Sequence, residues 1–579
     1  MAQKSKPRTP RKSSYRGFEG VDLKKTHSGD ESVALIDNFR ITDDGSLKKR
    51  YGFKNVYSYT DTSQKIKASY SIIENGVEMC YFTQDKFVKK YNSKTQTVTS
   101  IGELSRSDSN IFFFEYLNNL YVCDGSKMFT VNSSSLSDTT FYIPLYGKDW
   151  NAFAGAVNEA PNLLWPKVAI TYKLTPPSTS YLSLGNLKIA SIDALYRNGT
   201  LLTADKYYIN ERYNSITVPE FADNDVFLAI LTFTPDQSYE NQRNALFASS
   251  NTSIFYELNK NNLFFWGNDN SNQIFYTLSI NEDNAKETDK YVTNVRFYVP
   301  TDSYFTVGSS KDRINAFIRH YDRTLIMTGT STWITNLEDI GNKNLKIRNI
   351  NSSIGCVIKN GCVRIENTLF SVGKDAIYAW NADTDELNEC NAHSISDPIH
   401  DLLCKDFFEN CLMHLHYSKR EIWFFSPNQG QTWIYNFKRK AWYAFSGFYP
   451  TVFLSDGNEI SFFDGTTMHV FDPSLTSDIY KGIRKNIIAR FKSGELEFND
   501  RRKKKLASTT IRGSFSGGRL TLQTVLDKLK TSEYNVSPLK KHSVISYRIR
   551  SGSFSCMTFE LITSGAGEQI IHGIELDAD

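Results

Sequence analysis

Two histidines one residue apart, His414 and His416 in the run CLMHLHY, come nearest to metal chemistry by type and spacing. On an extended strand residues i and i+2 share a face, so both imidazoles would be presented together, as two zinc ligands must be. No Cys, Asp or Glu in a helical H-E-x-x-H context completes a set, and a structural histidine pair is the plainer reading. Asn381, Asp383 and Asp385 open like a calcium loop, but Glu386 stands where the sharp turn needs glycine, which leaves an acidic surface loop. The cysteines, at 80, 123, 356, 362, 390, 404, 411 and 556, form no C-x-x-C pair, and several sit in apolar strand runs. They read as buried free thiols of a reducing compartment rather than as a disulfide framework. A phosphate-cradling G-x-x-x-x-G-K, a dinucleotide G-x-G-x-x-G and a nucleophile elbow are all missing. The sequence therefore assigns no catalytic, cofactor-binding or metal-binding residue, and the expectation is a protein that is not an enzyme and carries no cofactor.

The elements that would position any such residue are hairpins. Residues 367–474 contain NTLFSVGKDAIYAWN, KREIWFFSPNQGQTWIYNFKRKAWYAF and DGNEISFFDGTTMHVFDPS. Each is an aromatic and β-branched run, a Gly- or Asp-bearing turn and a second such run, the pattern of a short antiparallel hairpin. The unit recurs as VEMCYFTQDKFVKKYN, LNNLYVCDGSKMFTVN, NNLFFWGNDNSNQIFYTLSI and YDRTLIMTGTSTWITN, giving starts at 77, 117, 261, 321, 367, 419 and 456. Most steps suit a four-stranded propeller blade of roughly 40–50 residues. Only the step from 117 to 261 is far too long and must hold something else. The expected fold is all-β, a β-propeller of six to eight blades with an inserted and a C-terminal β-sandwich; the competing reading is a collection of hairpins from sandwiches.

At 579 residues the chain exceeds one ordinary core, and 39 Phe with 32 Tyr favour strands. A net charge of +4 is small for this length, which argues against nucleic-acid binding over the whole surface. No stretch approaches eighteen uninterrupted apolar residues, so no membrane span is expected. The basic N-terminus lacks an apolar h-region, so no secretory signal is expected and the chain should fold in the cytosol.

Residues 1–16, MAQKSKPRTPRKSSYR, are rich in Lys and Arg, with no acid and two Pro. Such an arm buries too little to order itself, and reads either as a solvated tail or as a contact for an acidic surface or nucleic acid. Residues 17–57 open on Gly20-Val21-Asp22, continue through DNFRITDDGSL, and run from Lys48-Lys49-Arg50 into Gly52-Phe53. Asp43-Asp44-Gly45 is a turn between two strands, the outer one basic and exposed. This segment resembles the start of the β-propeller nozzle, or tail-stabilisation, proteins of short-tailed bacteriophages. It departs from them at Tyr51, where a proline commonly precedes the glycine. The stretch from Val292 (VTNVRFYVPTDSYF) and INSSIGCVIKNGCVRIENTLFSVGKDAIYAW are similar to the same family, so the resemblance covers most of the chain with diffuse motifs.

Between Asp149-Trp150 and about residue 240, alternating strands separated by Asn198-Gly199 and Asp223-Asn224-Asp225 read as a small sandwich. The run LYRNGTLLTADKYYIN with SITVPEFADNDVFLAIL resembles short β modules of phage tail and tail-fibre proteins. After residue 480 alternating strands with Gly-rich turns suggest another sandwich, in which the basic stretch Asp500–Lys505 is a solvated loop. The expected layout is a basic flexible arm over 1–16, a docking or closing segment over 17–57, and blades over 58–145 and 241–480. The inserted sandwich takes 146–240 and the C-terminal one 481–579. Ring closure should pair residues near 54–59 with the blade containing 460–471, since an unclosed ring leaves open edges.

Ser426-Pro427-Asn428-Gln429-Gly430-Gln431-Thr432-Trp433 resembles the Asp-box of sialidases, with Asn428 in place of the aspartate. In those enzymes the box is a fold-stabilising turn between the outer strands of a blade; catalysis there needs an arginine triad, a tyrosine nucleophile and a partnering acid. Two functions are expected from the resemblances. The first is a structural virion protein, a tail nozzle or hub subunit assembled in the host cytoplasm. It would form a homo-oligomeric ring (a hexamer, by the resemblance) below the portal and head–tail adaptor proteins, contact tail fibre or tail tip proteins, and pass double-stranded DNA during ejection. The alternative is a glycan-binding or glycan-hydrolysing, sialidase-like propeller adhesin.

Overall fold

The computed structural model describes residues 11–25, 32–107, 110–150, 156–176, 178–255, 262–288, 297–321, 323–337, 340, 345–380, 392–454, 459–480, 482–498, 502–536, 544–548 and 551–578. Among them the chain is β throughout, apart from short 3-10 turns and the helices Gln237–Phe247 and Glu282–Thr288. Seven antiparallel arrays of four strands recur, and each contains, as its second and third strands, one of the seven hairpins read from the sequence. This repeat of blades gives the protein the β-propeller class, with further β domains inserted and C-terminal.

The residues fall into two compact units, 1–100 with 352–579, and 101–351. The first holds blade 1 (from Ile66–Glu74 to Thr97–Glu103), blade 5 (Cys362–Ile365 to Ala392–Ser394), blade 6 (Leu412–His416, Glu421–Ser426, Gln431–Asn436 and Ala441–Ser446) and blade 7. Middle strands such as Glu421–Ser426 are buried at every position. Both faces of a blade are covered by neighbouring structure, so these runs read as continuously apolar instead of alternating. Trp380, Trp423, Trp433 and Trp442 are among the largest fully buried side chains. Turn chemistry holds the hairpins: Asn75 and Gly76 take φ of 51° and 75°, and Leu117 and Asn118 take 49° and 63°, the paired left-handed conformations that match strand twist.

Blade 7 is completed by the N-terminal segment. Strand Gly52–Ser58 lies antiparallel on Thr467–Asp472, with Phe53 opposite Phe471, Lys54 opposite Val470 and Tyr57 opposite Met468. The clasp expected for 54–59 therefore forms. Gly52 is required there, because a Cβ at that position would stand 2.0 Å from the Ser477 carbonyl oxygen.

Two expectations about the chain ends change. Residues 11–16 are not a flexible arm: Arg11–Arg16 is a strand on Gln569–Ala578. The arm lacks its own apolar surface, but the partner strand supplies carboxylates, Glu575 to Arg16 and Asp577 to Lys12 at 3.8 Å. Tyr15 packs edge-on against Phe491 and Phe559 at 5.5 and 5.6 Å. Residues 1–10 lie outside the described residues. Nor is the C-terminal sandwich closed within 481–579. Phe39–Ile41 and Leu47–Lys49 join the sheet of Gln569–Ala578, while Val33–Asp37 pairs with Ala489–Ser493 and bridges to blade 6 at Ala444. Its strands alternate cleanly, as in Ala489–Ser493 and Met557–Ser564, since each sheet buries one face only. The borrowed strands cover sheet edges that would otherwise invite foreign pairing.

The second unit holds blade 2 (Phe112–Tyr116 to Leu136–Asp138), blade 3 (Asn251–Ile254 to Tyr304–Thr306) and blade 4 (Ile314–His320 to Ile347–Asn351). Between blades 2 and 3 lie a five-stranded sheet, from Leu145–Gly147 to Val226–Phe233, and a three-stranded sheet of Tyr181–Ser183, Ser215–Thr217 and Tyr208–Asn210. Helix Gln237–Phe247 follows, capped by Asp236, whose carboxylate accepts from the Tyr239 amide.

Candidate functional site

Cationic side chains gather where the N-terminal segment meets blade 6. The hairpin Phe39–Ile41/Leu47–Lys49 and the residues after it supply Arg40, Lys48, Lys49 and Arg50. The first–second turn of blade 6 supplies Lys419 and Arg420, with Arg420 in the left-handed region at φ 59°. Together they line a cleft of about 350 Å³. Lys438 and Arg439, in the third–fourth turn of the same blade, reach Asp43 at its mouth, Lys438 at 3.7 Å and Arg439 through the Asp43 carbonyl. The expected exposed basic strand is thus corrected: Lys49 and Arg50 are 4% and 3% exposed, because Leu47–Lys49 is an interior strand of the C-terminal sandwich.

Carboxylates from other elements hold these cations in place. Arg50 makes a two-pronged pair with Asp478, both contacts 2.8 Å, and donates further to Asn38 Oδ1, Tyr51 O and Ser446 O. Lys48 meets Glu568 at 2.6 Å, Lys419 meets Glu459 at 3.5 Å and Arg420 meets Asp43 at 3.6 Å. Lys49 donates to the Gly565 carbonyl at 2.8 Å; burial, and then the neighbouring Arg50 guanidinium, bring its ammonium down to about 8. Eight cations (40, 48, 49, 50, 419, 420, 438, 439) stand against six carboxylates (43, 44, 421, 459, 478, 568), an excess of two positive charges. A rigid, partly desolvated concavity of that sign suits an anion presenting several oxygens, such as a phosphodiester backbone.

Beneath the cleft lies the set of residue types that a sialidase would use, assembled for another purpose. Glu421 accepts from Arg40 Nη2 at 3.1 Å, Trp423 Nε1 at 2.8 Å and the Tyr443 hydroxyl at 2.5 Å, forms an ion pair with Arg40, and has His416 Nδ1 3.8 Å away. Glu421 and Tyr443 are both fully buried. Burial, reinforced by Glu421, pushes the Tyr443 hydroxyl well above its ordinary value, the opposite of what a nucleophile needs. Burial would lower Arg40, but Glu421, Tyr443 and Glu459 together outweigh it and leave the guanidinium raised. The cluster ties strand Phe39–Ile41 to blade 6.

The other sequence candidates fall as follows. His414 stacks on Phe453 at 5.1 Å and His416 meets Trp423 edge-on at 6.2 Å. Among the described residues no group of three or more His, Cys, Asp or Glu is placed to hold a metal ion. The loop at Asn381–Glu386 lies outside the described residues. The Asp-box-like run turns between the second and third strands of blade 6, not between the outer pair: the Gln429 and Gly430 amides both donate to Ser426 O, Asn428 is exposed, and Trp433 is buried. Described cysteines are free thiols, with burial pushing Cys123 and Cys356 up to about 12, while Cys362, Cys404 and Cys556 are partly exposed. Lys504 is not part of a solvated loop: it is 2% exposed and donates to Glu497 O and Ser555 O. Among the described residues no helix is long and apolar enough to cross a membrane.

No protein-family model matches this chain, and no curated protein matches it. Solved structures similar to it include the AfRom2 CNH domain, at 7% identity over 73% of this chain and 99% of that one, with a TM-score of 0.34. The Neurospora crassa Pan2 WD40 domain is similar at 7% identity over 74% and 96%, TM-score 0.34. A chain of the mitotic checkpoint complex is similar at 9% identity over 73% and 93%, TM-score 0.33. The assignment of fold rests on the repeated four-stranded sheets themselves.

Proposed function

We propose that this chain is a structural subunit of the tail of a short-tailed bacteriophage, a nozzle or hub protein that joins copies of itself in a ring below the portal and adaptor. The ring retains the packaged genome and forms the channel through which DNA leaves; tail fibre or tip proteins are its outer partners. The chain is made in the host cytoplasm and ends in the virion. The resemblance of residues 17–57 and of the later blade segments to nozzle proteins motivates this reading. The observation that carries it is how that resembling segment is used. It closes blade 7, lends strands to the C-terminal sandwich and floors a cleft with an excess of positive charge over its carboxylates. Such a cleft favours contact with phosphate without reading base sequence. An amber allele in the genome that encodes the chain tests the reading. Non-permissive growth should yield filled or leaking heads that lack tails and cannot infect, with infectivity restored by adding the purified chain. Fully infectious particles made without it would overturn the proposal.

A further inference from the structure

The inserted domain carries a patch of exposed aromatic rings unlike the rest of its surface. In its three-stranded sheet Tyr181 pairs with Thr217, and Thr217 pairs with Tyr208; Ser183, Ser215 and Asn210 form the next rung on the same face. Directly opposite residues share a face, so Tyr181 and Tyr208 flank Thr217 on the side away from Leu182 and Ile216, which are 1% and 0% exposed in the domain core. Tyr213, in the turn before Ser215, brings its ring to 5.9 Å from that of Tyr181, with the planes 50° apart. The three rings are 46%, 55% and 60% exposed at Tyr181, Tyr208 and Tyr213. Their frame is fixed. Asn214, at φ 41°, ties the turn to Gly185 O at 2.8 Å and Leu187 O at 3.1 Å, and the Arg212 guanidinium stands 5.4 Å from the Tyr213 ring centre.

On the same face two hydroxyls are left over. Ser215 and Thr217 are 2% and 4% exposed, and neither Ser215 Oγ nor Thr217 Oγ1 has a hydrogen-bond partner. A buried hydroxyl without a partner lowers stability, so this face of the sheet keeps two unpaired polar groups beside its tyrosines at a loss.

We infer that this face is a binding site for a neutral oligosaccharide, with Tyr181, Tyr208 and Tyr213 stacking on the C–H faces of pyranose rings and Ser215 and Thr217 hydrogen-bonding sugar hydroxyls. The size of the patch selects this occupant. Three strands of three residues each span roughly 10 Å by 10 Å at ordinary strand rise and spacing. A stable protein interface needs about 800 Å² per partner, several times that footprint, whereas one or two sugar rings fill it. Amphipathic rings beside a few placed polar groups are the usual make-up of a small-ligand site. The charged side chains nearby are Lys206, paired with Glu220 at 3.4 Å and next to Asp205, and Arg212, on Tyr213 and next to Glu211, so no net positive charge selects an acidic sugar.

The test uses the full chain on an array of neutral, amino-sugar and acidic oligosaccharides, followed by calorimetric titration of the best-retained neutral oligosaccharide. Wild-type protein should retain neutral oligosaccharides, and Tyr181→Ala and Tyr213→Ala should each weaken the titrated affinity about tenfold or more. Thr217→Val keeps the side-chain volume and removes an unpaired hydroxyl, so it should leave the melting temperature unchanged or raised while weakening sugar binding several-fold. Retention of no oligosaccharide, retention of acidic ones alone with loss in salt, or equal affinity in wild type and all three variants would overturn the assignment.

Discussion

Replacing Asp478 by Ala would leave the Arg50 guanidinium buried, 2% exposed at its side chain, without its carboxylate. Removing one partner of a buried pair typically costs about 3–5 kcal/mol, because the remaining charge stays desolvated. Arg50 retains three neutral acceptors, Asn38 Oδ1 at 2.7 Å and the Tyr51 and Ser446 carbonyls at 3.0 Å. Those acceptors place the expected loss at the lower end, about 3 kcal/mol. The loss is local, since Arg50 joins the blade 7 clasp to blade 6 and to strand Ser477–Tyr480. Amide hydrogen exchange reads local opening directly. Peptides covering 47–58 and 475–480 should exchange about 150-fold faster in the variant, from ~1.4 kcal/mol per tenfold, while the blades of residues 101–351 stay unchanged. The double variant Arg50→Met with Asp478→Leu removes both charges and should recover most of the protection. Exchange within threefold of wild type in the single variant, or a double variant as unprotected as the single one, would refute the reasoning.

Gly52→Ala should push strand Ser477–Tyr480 off the clasp, since the new Cβ meets Ser477 O at 2.0 Å; overpacking of this kind costs about 1–3 kcal/mol or more, visible as a lower denaturation midpoint. His469 is held neutral by burial, which lowers its pKa to about 4 from 6.5. Its depressed value means the unfolded chain takes up the proton first, so stability should fall as pH drops from about 6.5 to about 4. That part of the loss should vanish in His469→Phe, followed by denaturation at stepped pH. Replacing Lys419, Arg420 and Lys438 by Ala should weaken duplex DNA binding at low salt and flatten log K against log salt by roughly 2–3; an unchanged slope would place DNA contact elsewhere.

The seven middle hairpins were legible because burial on both faces makes them dense aromatic runs, as in Glu421–Ser426 and Leu263–Trp266. Outer strands were harder to see. Thr97–Glu103 is mostly exposed or half-buried, and Ala392–Ser394 has three residues with none fully buried, so neither carries a strong pattern. Helix Gln237–Phe247 was missed although Asp236 is a good N-cap, because its polar run lacks an apolar stripe and sits among strands. The strand at Arg11–Arg16 could not be read locally: its partner is more than five hundred residues away in sequence, and composition alone describes an unpaired arm. Long-range pairing hid the cleft as well. Lys48-Lys49-Arg50 and Lys438-Arg439-Lys440 are each visible as basic runs, but only the register of the N-terminal hairpin on the C-terminal sandwich and its reach to blade 6 bring them together. The tyrosine face escaped notice because its three rings come from separate strands and a turn, and only cross-strand register aligns them.

Electron cryomicroscopy of the purified full chain, imaged over a range of concentrations and again with its head–tail adaptor, tests the central proposal most directly. Closed rotationally symmetric rings with an open axial channel wide enough for duplex DNA are expected. Single-chain particles under every condition, or open chains that never close, would contradict the proposal.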